Sequence, residues 1–165
     1  MPVAPANLLS LPLTYLRAQL ADCPAFQSWV GAANAAAALA SIHYVSTTPA
    51  TDTPPHAVLG FGRRVAFDRG GVGSFSQFRQ DGELALDFYG AVSSLEDADE
   101  ADEALTFCNA VGEILCELLQ RSAGAGFLDF VGLETGPPMR TTEKEERTAG
   151  AFQLLECQIR YQGSA

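Results

Sequence analysis

Glu96–Arg121 reads EDADEADEALTFCNAVGEILCELLQR, and its two halves carry different information. Six acids fill the eight positions from Glu96 to Glu103. Running out of them, Ala101, Leu105, Cys108, Val111, Leu115, Leu118 and Leu119 recur at helical spacing, the pattern of a helix that buries one side. The acids lie at the N-terminal end and Arg121 at the C-terminal end, as the helix dipole favours. Gly124 and Gly126 follow as a stop. A long amphipathic helix near 97–121 is expected, with that stripe against the core.

The residues before it change period. From His56, Leu59, Phe61, Val65 and Phe67 fall on one face and Gly60 and Gly62 on the other, which is a long strand. Asp68–Gly73, DRGGVG, reads as a glycine-rich hairpin tip. Ser74–Gln80, the turn signal Asp81-Gly82 and the alternation Leu84, Leu86, Phe88 complete an antiparallel meander. After the helix, Phe127–Leu133 reads as a strand, Gly136-Pro137-Pro138 interrupts, and 136–147 forms a charged loop. Leu155, Cys157, Ile159 and Tyr161 alternate with Glu156, Gln158 and Arg160 in a last strand.

The N-terminal third is helical in pattern. Leu9, Leu13, Leu16 and Leu20 share a face behind Ser10 as N-cap, giving a helix over about Ser10–Ala21. Phe26–Val30 and the Ala-rich run to Tyr44 suggest one or two more, broken near Gly31. Residues 46–55, STTPATDTPP, continue neither helix nor ladder and form a surface loop. The expected architecture is one domain over 1–165, of the α+β class. An antiparallel or mixed sheet of about five strands carries helices packed on it.

Composition narrows the function. With 165 residues, 47% hydrophobic and 18% charged, the chain should fold on one core rather than stay disordered. A net charge of −10 and a pI near 4.5 oppose nucleic-acid binding, which needs clustered Lys and Arg. The longest apolar run, Ala32–Ala40, is too short for a bilayer and is broken by Asn34. Met1–Leu20 lacks a basic segment ahead of its apolar residues and carries Arg17 among them, so cytoplasmic residence is expected.

The residue types that carry chemistry are sparse. His43 and His56 are separated by a proline-rich loop with no HExxH spacing; the expectation is no metal and no cofactor, with His43 at a helix end and His56 opening a strand. Cys23, Cys108, Cys116 and Cys157 are widely spaced and read as reduced, mostly buried thiols. Gly60-x-Gly62 and Gly70-Gly71-x-Gly73 do not open a helix and do not end in Gly-Lys-Ser/Thr, so they read as turn glycines rather than a phosphate loop. The acidic run lacks the glycine and alternating oxygens of an EF-hand. A non-enzymatic protein is expected.

The element order resembles the tail-terminator and neck, or tail-completion, proteins of long-tailed bacteriophages. The resemblance spans Pro55 to Gly163. It is carried by Gly82-x-Leu84-x-Leu86-x-Phe88, the acidic helix start, Phe107-x-Asn109-x-Val111-Gly112-x-Ile114-Leu115-x-Glu117-Leu118, Gly126-Phe127-Leu128, the Pro137–Arg140 turn and Tyr161-x-Gly163. It implies a structural virion subunit, assembled in the host cytoplasm, that forms a ring, commonly a hexamer, at the head–tail junction. Its partners would be its own copies, the tail tube protein and the head–tail connector, with genomic DNA passing through unbound.

Under that reading Asp68, Arg69, Gly70, Gly71, Val72, Gly73 and Phe75 are expected at contacts between subunits or rings. Glu96, Asp97, Asp99, Glu100, Asp102 and Glu103 are expected to face the channel, or else Glu143, Glu145 and Glu146 of the charged segment. The alternatives are another neck component, a cytosolic module holding a small ligand or peptide in an apolar pocket, and an enzyme using Cys108, Cys116 or Cys157.

Overall fold

A computed structural model describes residues 10–45, 53–69, 78–93, 99–121, 128–141 and 152–164. Its elements are α1 (Leu11–Ala21), α2 (Pro24–Val30), α3 (Ala35–Ala38), β1 (Ile42–Tyr44), β2 (His56–Arg69), β3 (Phe78–Ala91), α4 (Glu100–Gln120), β4 (Leu128–Thr135), β5 (Met139–Thr141) and β6 (Phe152–Ser164). The class is α+β, with a six-stranded mixed sheet in the order β1-β2-β3-β6-β4 and β5 beside β6. Among the described residues, only the β1–β2 pair is parallel.

The helices lie on one face of this sheet. Leu84, Leu86 and Phe88 of β3 pair with Ile159, Cys157 and Leu155 of β6, and all six side chains are buried. Leu13, Leu16 and Leu20 of α1, Phe26 of α2 and Phe107, Val111, Ile114, Leu115 and Leu118 of α4 close over them in one cluster. Trp29 joins the layers: its ring lies 5.9 Å from Phe26, 5.7 Å from Phe88 and 6.2 Å from Phe107, within the range of favourable ring packing. Gly31 ends α2 in the left-handed region, at φ 69°, where glycine carries no Cβ penalty.

Five sequence expectations are corrected. The helical run does not reach Tyr44: Ile42–Tyr44 is a strand on β2, so His43 is a strand residue, whereas His56 does open β2. β-Branched and aromatic side chains fit that half-buried pleat. Asp81-Gly82 is not a turn but lies inside β3, opposite Ala66 and Val65. A Cβ on Gly82 would stand 2.7 Å from the Tyr161 hydroxyl and 2.8 Å from the Arg64 carbonyl, so crowding between strands explains this glycine. Asp68 and Arg69 belong to β2, paired with Arg79 and Phe78, rather than to a turn. β5 adds a sixth strand from within the charged segment. The buried face of α4 is rotated from the expected stripe: Phe107 and Ile114 point in, while Leu105 and Leu119 are 61% and 41% exposed.

Candidate functional site

The acidic start of α4 is attached to one end of the sheet. Asp99 precedes the helix, and Glu100, Asp102 and Glu103 lie in its first turn. Gly90 of β3 lets it approach, since a Cβ there would stand 2.6 Å from the Phe107 ring. Glu103 differs from its neighbours. It accepts hydrogen bonds from the backbone N–H (2.9 Å) and hydroxyl of Ser93, and its other oxygen lies 4.0 Å from the Arg140 guanidinium. Both side chains of that pair are largely buried, so Glu103 ties the helix to the segment just after β3 and to β5. Asp99, Glu100 and Asp102 remain exposed.

Ala91, Ser93, Asp99, Asp102, Glu103 and Thr106 line a depression of about 360 Å³. It is lined by three carboxylates, which favours cations over anions by simple Coulomb attraction. Among the described residues, no group of three His, Cys, Asp or Glu is arranged to hold a metal ion. No helix among them is long and apolar enough to cross a membrane.

The described members of the two expected groups lie at different ends of β3. Asp68 and Arg69 adjoin the Phe78 end of β3, whereas the acids of α4 adjoin its Ala91 end through Ser93. Thirteen strand steps separate these ends, about 40 Å of extended chain. Gly70, Gly71, Val72, Gly73, Phe75, Glu96, Asp97, Glu143, Glu145 and Glu146 lie outside the described residues.

The thiols divide by surroundings. Cys23 and Cys157 are buried, Cys108 is half-buried and Cys116 is exposed, a correction to the expectation of mostly buried thiols. All four are free. Burial pushes the Cys23 thiol up to about 11, helped by Glu117, whose carboxylate accepts its S–H at 2.8 Å. Burial and the Asp87 charge push Cys157 up to about 12. Both stay protonated near neutrality, the opposite of what an attacking thiolate requires. Glu117 also accepts from the Ala25 N–H at 3.3 Å, so it anchors the start of α2.

The chain matches no protein-family model and no curated protein.

One cluster that sequence reasoning missed lies on the sheet face away from the helices. His43, His56, Tyr89 and Phe152 form a row with successive ring centroids 5.7, 4.8 and 5.4 Å apart, the His56–Tyr89 pair stacked. Next to it, Asp87 stands directly across from Glu156. Burial, then repulsion from Glu156, raises the Asp87 carboxyl to about 6. The local signal was an acid inside an apolar alternation, Leu84-Ala85-Leu86-Asp87-Phe88. Its like-charged partner is sixty-nine positions away (156 − 87) and becomes a neighbour only through the strand register.

Proposed function

We propose that this chain is a structural subunit of a long-tailed phage particle. In this reading, copies of it close into a ring at the head–tail junction that terminates the tail tube and meets the connector. The observation that supports the reading is the pair of unlike edges on the sheet. On one side β1 ends opposite Leu59, whose carbonyl accepts from the Val45 N–H at 2.9 Å. That carbonyl therefore points away from β3, and so do the backbone groups of Phe61, two residues on. β2 runs on to Arg69 with no strand beside it on that side among the described residues, and Phe61 is 55% exposed. On the other side β4 is the edge, and Val131 is 49% exposed at its irregularity.

Two different edges on opposite sides of one sheet suit head-to-tail contact, which closes into a ring when the rotation between copies allows it. Irregular register at Phe61–Val65 and at Phe130–Gly132 limits open-ended strand pairing, so the exposed side chains direct the contact. The exposed Asp99, Glu100 and Asp102 would repel phosphate if this end faces a passing genome. Negative-stain micrographs and light scattering of the purified chain, alone and with tail tubes, test the reading. Closed rings are expected in at least one condition, and Phe61→Asp should abolish them while leaving a folded subunit. A monomer in every condition, tubes included, overturns it.

A further inference from the structure

The two outer strands of the sheet differ in charge. β2 carries Arg63, Arg64 and Arg69 against the single acid Asp68, whereas β4 carries Asp129 and Glu134 and no base. The chain as a whole stands at −10, so the basic strand is a local reversal of the general sign.

Local geometry leaves one charge of each sign exposed. Between Phe61 and Val65 the register slips, and Gly62, Arg63 and Arg64 stand against Glu83 alone. Gly62 lies tight on Glu83, where an added Cβ would fall 2.6 Å from the Glu83 carbonyl carbon. Arg64 turns back to Asp81, its guanidinium 3.3 Å from the carboxylate. Arg63, between these two, is exposed, and among the described residues its side chain forms no ion pair. On the other side Glu134 is exposed in the same condition. The Arg160 guanidinium of β6 lies over Gly132, where a Cβ would stand 2.8 Å from its central carbon. It offsets one of the two acids of β4 without forming an ion pair among the described residues, so the strand keeps its negative sign.

We propose that these opposite charges select how copies of this chain meet: the basic β2 strand of one lies against the acidic β4 strand of the next, with Arg63 facing acids beside the exposed Phe61 and Val131. The proposal rests on the ring reading above and adds what chooses the contact. Two copies at −10 repel at long range. A two-fold pairing of β2 with β2 would add arginine facing arginine, and β4 with β4 would add acid facing acid, so both symmetric pairings are disfavoured. Only the unlike pairing attracts, and it is the one that repeats from copy to copy and closes by rotation. Strand direction agrees. Three successive antiparallel pairings separate β2 from β4, so neighbours of like orientation set β2 antiparallel to β4, as in the rest of the central sheet.

Arg63→Glu and Glu134→Arg, each alone and then mixed in equal amounts, test this by sedimentation velocity in the condition where the parent assembles. Both sites are exposed, so the thermal midpoint should stay where it is. Each variant alone should need about ten times the parent's concentration to associate. The mixture should associate within about threefold of the parent's concentration, at least as pairs, because the unaltered β4 of one variant meets the unaltered β2 of the other. Variants that assemble as the parent does, or a mixture no more associated than its components, would overturn the charge selection and leave the ring standing. A parent that stays monomeric in every condition, tail tubes included, would remove both.

Discussion

Leu86 and Asp87 are neighbours in β3, yet the strand pleat sends them into opposite environments. Leu86 points toward the helices, is fully buried and faces Cys157 across the ladder. Asp87 points to the other face and meets Glu156. The inner face is apolar from Leu84 to Phe88 and from Leu155 to Ile159, whereas the outer one mixes His43, His56 and Tyr89 with two opposed carboxylates. Val58 and Phe152, although buried, lie outside the main core cluster. One face of the sheet thus supplies cohesion, and the other carries an electrostatic cost that folding must overcome.

The largest effect expected from this contrast is on the inner face. Leu86→Ala should lower the unfolding free energy by about 2–5 kcal/mol, because the lost methyl groups leave a cavity among Leu59, Cys157 and the helices. Urea denaturation checks this; a loss below about 1 kcal/mol would mean that the site collapses freely.

One residue further on, Asp87→Asn should act with the opposite sign. Asp87 has a folded-state pKa of about 6, raised from 3.8, so its protonated form is the one the fold favours. The stability it contributes is complete below about pH 3.8 and is lost as pH rises through about 6. The substituted amide would remain neutral throughout. The variant should match the parent near pH 3.5 and exceed it by about 1–2 kcal/mol at pH 7, a range discounted because the half-buried carboxylate is partly screened. Equal stability at both pH values would show that burial of the charge costs the fold nothing.

What sequence disclosed and what it hid follow the same division between local and distant neighbours. The alternation in β6 identified Leu155, Cys157, Ile159 and Tyr161 as inward residues, and all four are buried, because the period-two signal is local. The existence of α4 was equally legible. Its rotation was not: Leu105 and Phe107 are both apolar, and Trp29 and the bare Cα of Gly90 decide that Phe107 enters the core. Asp81-Gly82 imitates a turn because the crowding from Tyr161 and Arg64 comes from elsewhere in the chain. The same holds at the candidate site. The acids of α4 could be read as a group, but the inward turn of Glu103 depends on Ser93 and Arg140.

The smallest effect separates the two causes acting on Asp87. Burial is the larger and repulsion from Glu156 the smaller. Glu156→Gln removes the opposed charge at an exposed position while keeping the strand pairing, so stability at pH 7 should rise by only about 0.2–1 kcal/mol, the range for facing like charges in a sheet. The Asp87 carboxyl carbon, followed by NMR across pH 3–8, gives the decisive reading. Its midpoint should fall from about 6 yet remain above 3.8, since the strands and their packing still exclude water from it. A return to 3.8 would make the facing carboxylate the principal cause, and an unmoved midpoint would mean that Glu156 is screened from Asp87 altogether. In the expected case the pH dependence of folding keeps its sign and loses part of its span, because fewer protons are taken up on folding between about pH 4 and 6.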